Sequence, residues 1–421
     1  MIIFSDLQNE IINYLYDLID IINIYNLSKD NHKNIRIKNL YDIPNKYLQK
    51  LNQNIIEQCK FRNVESLNVD NNNKINKVNH IKNTLRILNC SCSCRISNSS
   101  CFCRIDQKEI SELELYKLIA YNNSKIYDIN HMKNSLKILD CSGCDCGINQ
   151  KGISELQLYE MKACNNRNIL NVNYMKDSLK VLDCGDSCGI DQKGIQQLQL
   201  HKLLARNNNK IKDINHMKNS LKVLDCRGYC GINDDGISKL RLYDLKTDNN
   251  RNITNVNHMK NSLKILNCCY NSGIDQEGIS KLQLYKLCVI YNRKIQNINH
   301  MKDTLKILNC SQDSSINQQN ISQLKLYKLN VCNNSEIKDV NHMKNTLKIL
   351  NCSGSQCGIG QKGISELQLY KLDACDNEKI VNVNHMKKTL KILYCSKKKN
   401  NYGIDKKDIS QLQLYEFSIT K

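Results

Sequence analysis

The chain has no tryptophan, one proline (Pro44) and only four phenylalanines in 421 residues. It lacks any apolar run near the roughly 18 residues that a membrane-crossing helix needs, so no span is expected. The first 25 residues carry Asp6, Glu10, Asp17 and Asp20 and no basic start, so a secretory leader is not expected either. No Gly-rich phosphate loop, nucleophile–base set or carboxylate pair stands outside the repeated scaffold. That points away from an enzyme and implies no cofactor. The heavy use of Asn, Ile and Lys looks like the style of an AT-rich genome and by itself carries little physics.

What is present is a repeat. The phrase Asn-His-Met-Lys-Asn-(Ser/Thr)-Leu-Lys-Ile-Leu-(Asp/Asn)-Cys returns nearly unchanged about every 42 residues, with its Asn-His-Met-Lys opening intact from Asn130, Asn215, Asn257, Asn299, Asn341 and Asn384. Each period holds two halves of about 21 residues reading L-x-x-L-x-(small or Cys)-x-x-(Asn or polar)-x-x-I. This is the grammar of a leucine-rich repeat. Halves begin at Val64, Leu85, Leu115, Leu136 and so on to Leu390, about 16 in all, with a partial one at Leu414. The expected fold is α/β: a leucine-rich-repeat solenoid with a parallel sheet on its concave face and short helical or 3₁₀ segments on its convex face. A small helical domain precedes it.

The halves alternate between two kinds. In one, position six is always cysteine (Cys90, Cys141, Cys184, Cys226, Cys268, Cys310, Cys352, Cys395); in the other it is Val, Ala or Thr. Position six lies two residues after an inward Leu on a strand, so it also points inward, where a thiol packs as a small hydrophobe. Successive cysteine halves stand roughly 10 Å apart, too far for a shared metal or a disulfide. In the second kind, position nine is always Asn, from Asn72 to Asn377. An amide that both donates and accepts suits a ladder that satisfies buried turns. Glycines before the convex Ile (Gly152, Gly194, Gly236, Gly278, Gly363) are expected to serve a tight bend. The histidine column, with Tyr174 replacing one member, is expected to be structural.

The net charge is +20, yet two columns, position two of the cysteine halves and the Lys of each His-Met-Lys, supply 16 of the 61 basic residues. Position two of the other halves is nearly always Tyr, which predicts an alternating Lys–Tyr cation–π ladder. Aromatic stacking positions on the concave face are few, which speaks against a nucleic-acid partner. The 23 cysteines without a leader predict a reducing compartment, the cytoplasm of a host cell or its nucleus.

Residues 1–63 lack the repeat. Leu7, Ile11, Leu15, Leu18, Ile19 and Ile22 recur at helical spacing behind a capping Asp6. A second helix is expected over Tyr47–Cys59. The expected division is 1–45, a helical segment; 46–63, a linking helix and cap; and 64–421, the solenoid. Leu7-Gln8-Asn9-Glu10-Ile11-Ile12, then Leu15, Asp20-Ile21-Ile22 and Leu27-Ser28-Lys29 resemble an F-box, with Gln8 in the usual proline's place. With the cysteine halves, the chain resembles F-box/leucine-rich-repeat proteins of the cysteine-containing type, similar to those of giant DNA viruses. That resemblance implies docking on a Skp-type adaptor of a cullin ubiquitin ligase through Leu7, Glu10, Ile11, Leu15, Ile21 and Ile22. It also implies a protein substrate held on the concave face.

Positions five and seven of the asparagine halves change freely and alternate with inward residues, so they are the candidate partner-binding positions. They include Ile119, Tyr121, Lys162, Leu204, Arg206, Lys246, Asp248, Ile290, Asn330 and Asp373. The half from Leu85 runs 30 residues, and its extra loop carries Cys92, Cys94, Cys101 and Cys103. Four thiolates are a zinc set in principle, but the C-x-C spacing is a weak signal, and a plain surface loop is the expectation.

Overall fold

The structure is a computed structural model that describes residues 37–42, 50–93, 103–396, 404 and 409–420. The docking residues expected at Leu7, Glu10, Ile11, Leu15, Ile21 and Ile22 lie outside the described residues, as do Cys94 and Cys101. The chain divides into two compact units, Met1–Leu204 and Ala205–Lys421.

Each unit is a stack of short parallel strands, one per half-repeat, joined by irregular convex segments. In the first unit the strands run from Asn39–Leu40 and Ser66–Asn68 to Lys202–Leu204. In the second they run from Val223–Asp225 to Glu416–Thr420. Register places inward leucine on inward leucine, Leu118 beside Leu139 and Leu266 beside Leu287 and then Leu308. These leucines are fully buried, as are the convex Ile and Met residues such as Ile153 and Met132. With about 21 residues per half, the return path has room only for a 3₁₀ turn such as Asn130–Met132 or a one-turn α-helix such as Gln192–Ile195.

The sheet begins earlier than expected. Asn39–Leu40 pairs in parallel with Ser66–Asn68, and Ile37, Leu40, Leu51, Ile56 and Phe61 are buried. The helix expected over Tyr47–Cys59 is, among the described residues, one turn, Gln53–Ile56, capped by the Asn52 side chain. Among the described residues, 37–42 and 50–63 thus add a paired strand and buried side chains ahead of Val64. Their hydrophobic spacing differs enough from the repeat that the sequence pattern hides them.

Both inward columns behave as core. The position-six cysteines are buried, and several thiols donate weakly to the next strand's carbonyl, Cys141 to Lys162 O at 3.3 Å and Cys226 to Lys246 O at 3.4 Å. Burial pushes these thiols well above their ordinary range. The asparagine ladder is present in detail. Asn334 donates to Cys310 O (2.9 Å) and Ile316 O (3.1 Å) and accepts from the N–H groups of Glu336 (2.9 Å) and Ile337 (3.2 Å). Asn123, Asn166, Asn250, Asn292 and Asn377 repeat the double donation.

The convex side carries side-chain ladders that the sequence reading missed. Gln150 accepts from the N–H groups of Leu170 and Asn171 and donates to Asn171 O; Gln276, Gln318 and Gln361 do the same one or more periods on. The convex segments are not strands, so amide side chains supply the pairing that a sheet would give. The heavy use of Asn thus has physical content after all, and Gln shares in it. The histidines bond a carbonyl of the preceding half, His131 to Ile110 O and His342 to Ile321 O, both at 2.9 Å. The Tyr174 hydroxyl donates to Ile153 O at 2.7 Å and so replaces histidine like for like.

Two expectations need correction. The glycines before the convex Ile are not bend residues with positive φ. A Cβ at Gly152 would meet Tyr127 O at 1.9 Å and one at Gly236 would meet Lys212 O at 1.9 Å, so these glycines exist for close stacking of backbones. The Lys–Tyr ladder is also absent as a ladder. Of the position-two pairs, only Lys391 lies over a neighbouring ring, that of Tyr415, among the described residues. Lys264 and Lys348 instead reach the carbonyls of Gln283 and Gln368.

Candidate functional site: the open face of the sheet

A strand's alternation leaves positions three, five and seven facing away from the core. All ten candidate partner-binding residues lie there. Tyr121, Lys162 and Arg206 are exposed; Ile119, Leu204, Lys246, Asp248, Ile290, Asn330 and Asp373 are half-buried. Ile119, Tyr121, Lys162 and Leu204 belong to the first unit and the other six to the second.

Position three belongs to the same face; its aliphatic residues in the cysteine halves were expected there, and its lysines in the asparagine halves were missed by the sequence reading. In the second unit it alternates Ile265, Lys286, Ile307, Lys328, Ile349, Lys371 and Ile392, half-buried except for the exposed Lys328. The strict alternation of the two half-types was the available signal. Aliphatic ridges between ammonium groups suit a surface that is neither wholly apolar nor wholly charged. Lys371 sits 4.6 Å above the Tyr394 ring, and the Tyr394 hydroxyl bonds the Glu416 carboxylate.

The second unit's face departs most from the repeat between Asp225 and Gln312. Arg227 grips Asp225 with two bonds, Nε to Oδ1 at 2.8 Å and Nη2 to Oδ2 at 2.7 Å, and its Nη1 stands 3.9 Å from Asp248. Bonding to Asp225 raises the Arg227 guanidinium further above its ordinary value. Asp248 also accepts the Cys269 N–H at 2.8 Å. Cys269 and Cys288 come next, with their sulfurs 3.1 Å apart.

At the edge where each strand ends, position eight takes a left-handed conformation in half after half. Asn, Asp and Gly hold it, as at Asn249 (φ 58°) and Gly228 (φ 70°). Tyr270, Tyr291 and Gln312 are the exceptions and stand in three successive halves. The two tyrosine rings stack with centroids 5.7 Å apart, and the Tyr291 hydroxyl reaches Gln312 at 3.1 Å. A cleft of about 420 Å³ opens on the same edge, lined by Asn207, Tyr229, Asn249, Arg251 and Asn271 among others.

Of the four zinc-candidate cysteines, Cys92 and Cys103 are among the described residues. Cys103 is buried in a second inward column with Cys146, Cys188, Cys230 and Cys357, and burial pushes its thiol up to about 11. In that column the thiol packs as a small hydrophobe. Cys92 is buried and disulfide-bonded. Among the described residues no group of three or more His, Cys, Asp or Glu side chains is arranged to hold a metal.

The two basic columns do not merge into one stripe. The His-Met-Lys lysines cap convex turns and pair with convex glutamates, Lys133 with Glu155 at 2.7 Å and Lys344 with Glu366 at 2.6 Å. No helix among the described residues is long and apolar enough to cross a membrane.

No family model matches the chain, and no curated protein matches it. Solved structures do. The TLR13–ssRNA13 complex aligns with a TM-score of 0.50 at 17% identity, covering 92% of this chain and 55% of that one. The chain thus spans about half the length of that neighbour. The Rad7–Elc1 complex of yeast aligns at 0.38 and 14% identity, covering 92% of each chain. The functional domain of InlJ from Listeria monocytogenes, which includes a cysteine ladder, aligns at 0.36 and 17%, covering 81% and 72%. At these identities the first likeness shows the fold alone, a leucine-rich-repeat-like solenoid.

Proposed function

We propose that this chain is a non-catalytic binding scaffold whose open sheet face holds a protein or peptide partner. The supporting observation is a contrast along one strand. Inward positions four and six are nearly invariant and buried, while positions five and seven beside them in the asparagine halves range over Ile, Tyr, Lys, Leu, Arg, Asp, Cys and Asn and stay accessible. Solenoids bind through such a face. The finer reading is a substrate-recruiting adaptor of a cullin-type ubiquitin ligase. It rests on the F-box resemblance of Leu7, Glu10, Ile11, Leu15, Ile21 and Ile22. The twenty described cysteines that remain thiols favour a reducing compartment, with Cys92 the exception.

Two measurements separate these levels. Purified full-length chain is titrated with a purified Skp-type adaptor by calorimetry. The adaptor reading expects binding that Ile11→Asp with Leu15→Asp abolishes, and a flat wild-type titration ends it. Separately, partners captured from host cells are quantified by mass spectrometry for the wild type and for Lys246→Glu with Ile290→Asp. The scaffold reading expects a specific partner to be lost. An unchanged capture profile removes the open face from the account and leaves the adaptor question untouched.

A further inference from the structure

Two thiols meet on the second unit's open face, Cys288 at a variable position of an asparagine half and Cys269 in the cysteine half before it. Cys288 ends the strand Lys286–Cys288 at position five, and register pairs it with Asn267 of the strand before. Cys269 follows that strand at position seven, so it stands diagonally across from Cys288. The Cys269 S–H donates to the Cys288 sulfur at 3.1 Å. A covalent S–S bond is about 2.05 Å, so roughly 1 Å of closure separates contact from bond. The neighbourhood holds the pair in place. Asp248 accepts the Cys269 N–H, Cys268 N–H donates to Cys288 O at 3.0 Å, and the stacked Tyr270 and Tyr291 lie alongside. Cys288 is half-buried and reachable from solvent, whereas Cys269 is almost wholly covered.

We propose that Cys269 and Cys288 form a redox modification site, a dithiol that a low-molecular-weight disulfide oxidises to an intrachain bond linking neighbouring half-repeats. The Cys288 thiolate attacks one sulfur of the small disulfide. The S–S bond of the reagent breaks, one reagent thiolate leaves, and a mixed disulfide forms at Cys288. Cys269 then gives up its proton and attacks the Cys288 sulfur, and the second reagent thiolate leaves. The protein loses two electrons and two protons; the small disulfide gains both as two thiols. The order follows from the hydrogen bond. Donation by Cys269 holds the Cys288 thiol below its ordinary value, while the same bond and burial push Cys269 up. The exposed member is thus the attacking thiolate and the covered member resolves it. The position-six cysteines, buried and pushed up, take no part. The site stands on this geometry alone and needs no partner on the open face.

The test treats the full-length folded chain with oxidised glutathione and maps tryptic peptides by mass spectrometry without reduction. The expected product joins peptide 265–281 to peptide 287–293 and forms about tenfold faster than glutathione adds to Cys332. Cys269→Ser is expected to trap Cys288 as a stable glutathione adduct, and Cys288→Ser to leave peptide 265–281 unlinked. Since either variant could perturb packing, the wild type is also alkylated across pH, where Cys288 should react at lower pH than Cys332. A wild type that accumulates the Cys288 adduct without the link, or a Cys288 no faster than Cys332, overturns the proposal.

Discussion

Replacing Asn334 by Ala tests whether the asparagine ladder holds the solenoid together. Asn334 is 1% exposed and makes four bonds, donating to two carbonyls of the preceding half and accepting two N–H groups of its own turn. Alanine leaves all four backbone groups without that partner. Orphaning a buried polar group costs about 1–3 kcal/mol. Counting only the two bonds at 2.9 Å in full gives about 2–6 kcal/mol, reaching the upper end for a single substitution. Asn345→Ala is the control: it is exposed and should fall within about 0.5 kcal/mol of wild type. Long repeat arrays often unfold in pieces, so urea midpoints are read beside hydrogen exchange at the Glu336 and Ile337 amides. Those amides should lose protection first and most. If Asn334→Ala and Asn345→Ala differ by less than about 1 kcal/mol, the bonds are exchanged for water at no net loss and the ladder is only a consequence of packing.

Other expectations concern single contacts. Gly236→Ala places a methyl 1.9 Å from Lys212 O, so the backbones must part; a loss of about 1–3 kcal/mol is expected by urea unfolding, and a neutral result would show that the stack is loose. Tyr174→Phe removes the 2.7 Å bond to Ile153 O for a loss of about 1 kcal/mol, and Tyr174→His, the column's own residue, should recover most of it. His300 is pushed below its ordinary value by burial, partly opposed by its bond to Ile279 O. Its unfolded form therefore takes up a proton first as pH falls. Stability is full above the ordinary histidine value of about 6.5 and declines below it, levelling off once pH passes under the folded value. His300→Tyr should flatten that part of the urea-midpoint profile between pH 7 and pH 5, and an unchanged profile assigns the effect elsewhere.

The repeat, the inward leucines, the cysteine and asparagine columns and the faces of the strands were all legible in the chain, because each obeys a fixed spacing and one column tolerates few side chains. Tyr174 in the histidine column was legible as an oddity; only the carbonyl of Ile153 at 2.7 Å explains it. Spacing did not reveal what one half does to the next. The glycines need room for a neighbour's carbonyl, Gln150 pairs with backbone one half-repeat away in sequence but adjacent in space, and Asn39 joins Ser66 across a stretch with no recognisable phrase. The meeting of Cys269 with Cys288 is the clearest case. In sequence they lie 19 residues apart in halves of different kinds; strand register makes them neighbours. Periodicity within one chain segment fixes which side chains turn inward. Contacts between successive turns depend on the register of stacking, which no local pattern encodes.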